Sequence, residues 1–237
     1  MLHFMFEEPE RIADGALAET FGLMDQFTDM VAGRIRSGQD SDQRLRKFEI
    51  WTKGLRSSLI ELEQSHYAAS RFKDKVTSKS VDDMTPSEKL DYDRYVYFDK
   101  NSFIRVFSLL DKMGTLLNEL LEMRTEKIKP HFSYFTVLRN MRERKAHPGL
   151  TWKLNDVKEK YKESMNRLRK RRNTEIHYMN SEMHDDLIQS QRMYGEEARL
   201  ENIAQQSEDL TKCLHMSIES LRLTFQYACA LLRSKSV

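Results

Sequence analysis

The stretch RKRRNTEIHY, Arg169 to Tyr178, gathers five basic or imidazole side chains into ten residues. Within it Arg172, Asn173 and His177 stand at the spacing R-N-x3-H. These residue types suit cleavage of RNA, which carries its own nucleophile in the 2′-OH and needs no metal to generate one. An imidazole with a pKa of about 6.5 can take or give a proton at neutral pH. A guanidinium stays charged and can grip a phosphate through two parallel N–H groups. An amide four residues before the imidazole shares its helix face and can orient it by a hydrogen bond. Upstream, Arg167, Arg169, Lys170 and Arg171 are expected to hold an RNA backbone in a salt-sensitive manner.

A looser spacing, arginine then histidine after four to six residues, also runs from Arg124 to His131 and from Arg142 to His147. Pro130 and Pro148-Gly149 put those histidines in loops or at helix ends, and neither arginine is followed by Asn. Arg172 instead lies in an unbroken helical pattern whose apolar seam is Tyr161, Met165, Leu168, Ile176, Met179, Met183 and Leu187. Arg172 fills the one vacancy in that seam. A guanidinium there must be paired or face a cleft. Asp111, beside the most apolar stripe of the chain, is the candidate carboxylate. A second ridge, Asn166, Lys170, Asn173, His177, Asn180 and His184, is polar throughout. His177 and His184, even with Asp185 and Asp186, lack ligand spacing, so no metal and no other cofactor is expected.

The elements that must position these residues are helices. Pro9 suits the first turn of a helix running to about Arg36, and a second carries Leu45, Phe48, Trp51, Leu55, Leu59 and Leu62. The run TPSE, Thr85 to Glu88, combines an N-cap, a proline at N1 and a capping-box glutamate. It opens a long region that ends before Pro130, with a break expected near Lys100-Asn101. A short helix follows, stopped by Pro148-Gly149, and two long ones are expected over about 154–190 and 195–233. No stretch alternates with period two, and no hairpin dipeptide separates apolar runs. The expectation is an all-α, up-down bundle of long helices, forming a single helical domain over 1–237.

Composition narrows the function classes. Lys and Arg exceed Asp and Glu by 39 to 37, so any attraction to nucleic acid must be local. Two cysteines sixteen apart fit neither a metal pair nor a disulfide framework, and point to buried thiols in a reducing compartment. The opening MLHFMFEEPE turns acidic at once, unlike a signal peptide, and no run approaches the roughly 18 apolar residues of a membrane span. A cytoplasmic location without membrane contact is expected.

The R-N-x3-H spacing on a late helix of an all-α bundle resembles the HEPN superfamily, the higher eukaryote and prokaryote nucleotide-binding domains. The aromatic-rich YVYFDKNSFIRVFSLLDKMGTLLNELL is similar to the long helix of its stand-alone bacterial members. The resemblance is most evident over 86–233. It implies RNA as the partner, a metal-independent endoribonuclease of toxin or defence type, and a homodimer whose two copies of the spacing form one composite site. An antitoxin is the further partner it implies. Carried over, Arg172 is the phosphate-facing arginine, Asn173 the polar residue after it and His177 the catalytic imidazole. One toxin variant has tyrosine two residues after the histidine, where this chain has Met179. The alternative is a non-catalytic helical interaction module whose R-N-x3-H residues only shape the dimer interface.

Overall fold

A computed structural model describes residues 5–9, 12–177 and 202–234, excluding the side chains of 176 and 177. Among the described residues every regular element is helical: α1 (Gly15–Arg36), α2 (Arg44–Lys73), α3 (Pro86–Leu120), α4 (Tyr134–Glu143), α5 (Pro148–Lys160), α6 (Lys162–His177) and α7 (Ile203–Ser234). Single 3-10 turns lie at Val81–Asp83 and Thr125–Lys127. The all-α reading is correct.

Several boundaries differ from expectation for local reasons. Pro9 lies outside α1, which starts only after the extended Asp14. Thr85 accepts the Glu88 N–H at 3.2 Å, as a cap should. Glu88, however, turns away from the cap and accepts the Thr77 and Ser78 N–H groups at 2.6 and 2.7 Å, which holds its carboxyl down at about 2. The break expected near Lys100-Asn101 does not occur, and α3 runs unbroken through both residues. α3 ends at Leu120, well before Pro130, in a turn where Glu122 and Arg124 take positive φ. Pro148 does not merely stop a helix. It opens α5 at the first turn, where its missing N–H costs nothing. The helix expected over 154–190 is interrupted at Tyr161 (φ −107°, ψ 12°), which divides α5 from α6. The remainder of that stretch from Tyr178, and residues 195–201 of the next, lie outside the described residues.

The chain divides into two compact units, Met1–Glu10 with Glu61–Arg105 and Lys162–Leu214, and Arg11–Ile60 with Val106–Tyr161 and His215–Val237. In the first, Ala68, Ala69, Phe72, Val81, Tyr92, Tyr95 and Val96 form a buried cluster against which Phe6, Phe98 and Ile203 pack. Phe72 and Phe98 stack nearly parallel with centroids 5.8 Å apart. In the second, Phe27 meets Phe225 edge-on at 5.5 Å among Leu55, Leu59, Leu109, Leu110 and Met113, all essentially buried. Burial of each such side chain stabilises by about 1.5–3 kcal/mol.

The start of α4 is fixed against α3 by two features. Asp111 Oδ1 accepts the Tyr134 backbone N–H at 3.1 Å, satisfying one of the first-turn donors that a helix leaves unpaired. Opposite it, Gly114 lets the Tyr134 backbone approach so closely that a Cβ at 114 would stand 2.7 Å from the Tyr134 Cα. Gly114→Ala should therefore destabilise by about 1–3 kcal/mol, the usual range for overpacking, although alanine is the better helix former. A urea titration of the two proteins measures it; equal or higher stability of the variant would show that α4 does not sit this close.

Candidate functional site

The buried face of α6 begins with Ser164, Met165 and Leu168, each less than a tenth exposed. From Leu168 both the third and the fourth residue onward share that face, so Arg171 and Arg172 compete for the inward position. The structure gives it to Arg171, whose side chain is 14% exposed and whose Nη2 donates to Asp99 Oδ2 at 2.5 Å. Asp99 itself is 1% exposed, and the Arg171 guanidinium also lies 5.2 Å from the centre of the Phe103 ring. A turn later Glu175 accepts from Lys100 Nζ at 2.7 Å, with both side chains below a sixth exposed. Two ion pairs of opposite sense thus tie α6 to adjacent residues of α3.

Arg172 is displaced sideways by the same choice. Its Nε and Nη2 both donate to Asn173 Oδ1, at 3.2 and 2.8 Å, on a half-buried part of the helix. Asp111 accepts from the α4 amide, and Asp99 with Arg171 forms an inward acid–base pair that the sequence reading had not named. Asn173 orients Arg172 through its carbonyl oxygen. His177 is the last described residue of α6, and its side chain lies outside the described residues. The remaining seam and ridge residues, from Met179 and Asn180 to His184, Asp185, Asp186 and Leu187, lie outside them too.

The basic run upstream is divided in the same way. Arg167 forks onto Asp209, Nε to Oδ2 at 2.7 Å and Nη2 to Oδ1 at 2.6 Å, the parallel geometry that makes Arg–carboxylate pairs strong. Hydrogen bonding to Asp209 raises the Arg167 pKa. Burial pushes the Asp209 carboxyl up, but hydrogen bonds from Arg167, Ser164 and Gln205 outweigh it and leave the group below its ordinary value. Arg169 is half-buried and Lys170 is exposed. Both cysteines are buried free thiols, Cys213 pushed up to about 12 by its burial. Among the described residues no group of three or more His, Cys, Asp or Glu side chains is placed to hold a metal ion.

The carboxylates that organise the site were legible as positions but not as roles. Asp99 follows Tyr92, Tyr95 and Val96 at helical steps and precedes Phe103, so an acid occupies an apolar seam there as plainly as an arginine does on α6. Asp209 occupies the equivalent kind of place between Gln206 and Cys213.

Residues 51–229 match the model of the family described as HEPN_Cthe2314-like HEPN. The match spans most of the chain, beginning well before the region in which the sequence resemblance was most evident. The protein belongs to this HEPN family. No curated protein and no solved structure matches it.

Two substitutions one residue apart should separate the inward arginine from its neighbour. Removing one member of a buried ion pair leaves the other charge stranded, so Arg171→Ala should cost about 3 kcal/mol or more, and Arg172→Ala less than about 1 kcal/mol, in a denaturant titration. Equal losses would place both guanidinia in the same environment. The lowered Asp209 pKa sets a pH signature as well: its contribution is complete above the unfolded value of about 3.9 and disappears as pH falls through the lower folded value. The Tm deficit of Asp209→Asn should accordingly be full near neutrality and shrink in acid; a deficit constant with pH would contradict the pairing.

Proposed function

We propose that this HEPN protein is an RNA-binding, metal-independent endoribonuclease of toxin or defence type whose active site is composite, formed where two copies of the chain meet. Arg172, Asn173 and His177 carry it. His177 takes the proton of the 2′-OH or gives one to the leaving 5′ oxygen, and Arg172 neutralises charge that builds on the phosphorus oxygens. One chain offers a single such imidazole in this spacing, whereas acid and base are both required. A two-fold partner supplies the second His177 and a second Arg172 to the same cleft.

The observation that carries this reading is the division between adjacent arginines. Arg171 is buried on Asp99, so its charge belongs to the fold. Arg172 donates through its Nε and Nη2 to the amide oxygen of Asn173, which fixes the direction of the guanidinium. A guanidinium aimed in this way is suited to meet an incoming phosphate. The second reading, a module that binds without cutting, draws support from Arg167, whose charge is already matched by Asp209.

Incubation of labelled single-stranded RNA with the protein in excess chelator tests the proposal. Cleavage should be seen with the native chain and fall by about 100-fold or more in His177→Ala and in Arg172→Ala. Cleavage equal in all three, or absent from the native chain, would overturn the enzyme reading. Light scattering on the same samples should give twice the chain mass; a strict monomer that still cleaves would overturn the composite site.

A further inference from the structure

The positive charge that the fold does not neutralise is concentrated elsewhere, around the turn between α4 and α5. Residues 124–153 carry eight Lys and Arg against two Asp and Glu, in a chain whose totals are 39 and 37. Arg142 in the last turn of α4, Lys145 in the turn and Lys153 on α5 are all exposed, and none of their side chains has a hydrogen-bond or ion-pair partner among the described residues. Arg139 has only a loose 4.0 Å pairing with Glu143, both well exposed. This is the reverse of Arg167 and Arg171, whose guanidinia sit on buried carboxylates.

An aromatic stands in the middle of this charge. Trp152 is 70% exposed, the most open large ring among the described residues, and makes no ring or cation–π contact with them. α4 and α5 pack against one another, and Trp152 lies five residues past the N-cap His147, about 7.5 Å along the axis. Arg142 and Lys145 lie within one turn of the same end on the other arm. The end itself is rigid. Arg144 Nη1 donates to the Met123 carbonyl at 2.7 Å, and His147 Nδ1 lies 2.8 Å from Tyr227 Oη. A solvated indole costs free energy unless something covers it, and nucleobases with their phosphates match both its flat face and the surrounding cations.

We propose that the α4–α5 end is a binding surface for single-stranded RNA, in which Trp152 stacks a base and Arg142, Lys145 and Lys153 hold the flanking phosphates. The surface rests on the RNA reading above and adds to it a place, outside α6, where substrate is gripped. Asp156, a turn beyond Trp152, and Glu143 bound it with negative charge. They limit the contact to a short strand rather than a broad duplex.

The test uses the full chain carrying His177→Ala, so that RNA is bound and not cut, with a fluorescein-labelled single-stranded RNA of about 20 nucleotides. Trp152→Ala should weaken binding by about five-fold or more. Arg142→Gln with Lys145→Gln should lower the slope of log affinity on log salt by about 1.4, two phosphate contacts of a single strand. Because Trp51 is the other of the two tryptophans, adding Trp51→Phe leaves Trp152 as sole indole, and its fluorescence should be quenched by RNA. Binding unchanged in the variants, with no quenching, overturns this surface and leaves the α6 proposal standing. A polyglutamate peptide that binds as well as RNA and loses affinity in the same variants marks the patch as a protein-docking surface and overturns it too. No RNA binding by the parent chain removes the RNA reading itself.

Discussion

A carboxylate at 1% exposure cannot remain charged in an apolar interior without a cation beside it, and Asp99 has Arg171. That single requirement sets the rotation of α6. With residue 171 turned toward α3, Leu168 and Met165 face the core, Glu175 comes round to Lys100, and residue 172 is carried about 100° away from the acid. An apolar pair would hold the two helices as well or better, since desolvation of ions offsets much of their attraction. What the charges add is register: a one-residue rotation would strand Asp99 and Glu175 together. The R-N-x3-H residues depend on that register for where they point.

The basic residues of α6 therefore do different work. Arg171 belongs to the packing of α6, as does Arg167 four residues earlier through its fork onto Asp209. Arg172 is steered instead by the Asn173 amide beside it. The open cations lie in another part of the chain, at the α4–α5 end. Among the described helices Lys and Arg are densest in α6, yet the buried acids it meets neutralise much of that charge.

The fold class was legible because helical periodicity is a property of short windows. The stripes of α2, α3 and α7, and the TPSE cap at residue 85, survive in the structure nearly as written. The family resemblance rested on three residues of α6 and proved correct over a longer stretch. Less legible was anything that turns on one residue of rotation. Steps of three and four are equally helical, so Leu168 could not decide between Arg171 and Arg172. Only the position of Asp99 in a different helix decides it, and a sequence pattern holds no record of which acid meets which base. Asp111 stood out as an acid beside an apolar stripe; its bond to the Tyr134 amide goes with the close approach at Gly114, which the stripe does not record. Pro148 and Tyr161 misled for a related reason, since a proline opens helices as readily as it ends them and a tyrosine gives no sign of interrupting one.

The assignment of neighbouring arginines to structure and to chemistry is tested most directly by replacing each with lysine and measuring single-turnover RNA cleavage beside the denaturation midpoint. Lysine keeps the charge and loses the planar fork. The account predicts that Arg172→Lys leaves the midpoint nearly unchanged and slows cleavage by about 100-fold, while Arg171→Lys lowers the midpoint and, at a temperature where it is folded, cleaves at close to the native rate. The opposite pattern, with residue 171 setting the rate and residue 172 the stability, would contradict it.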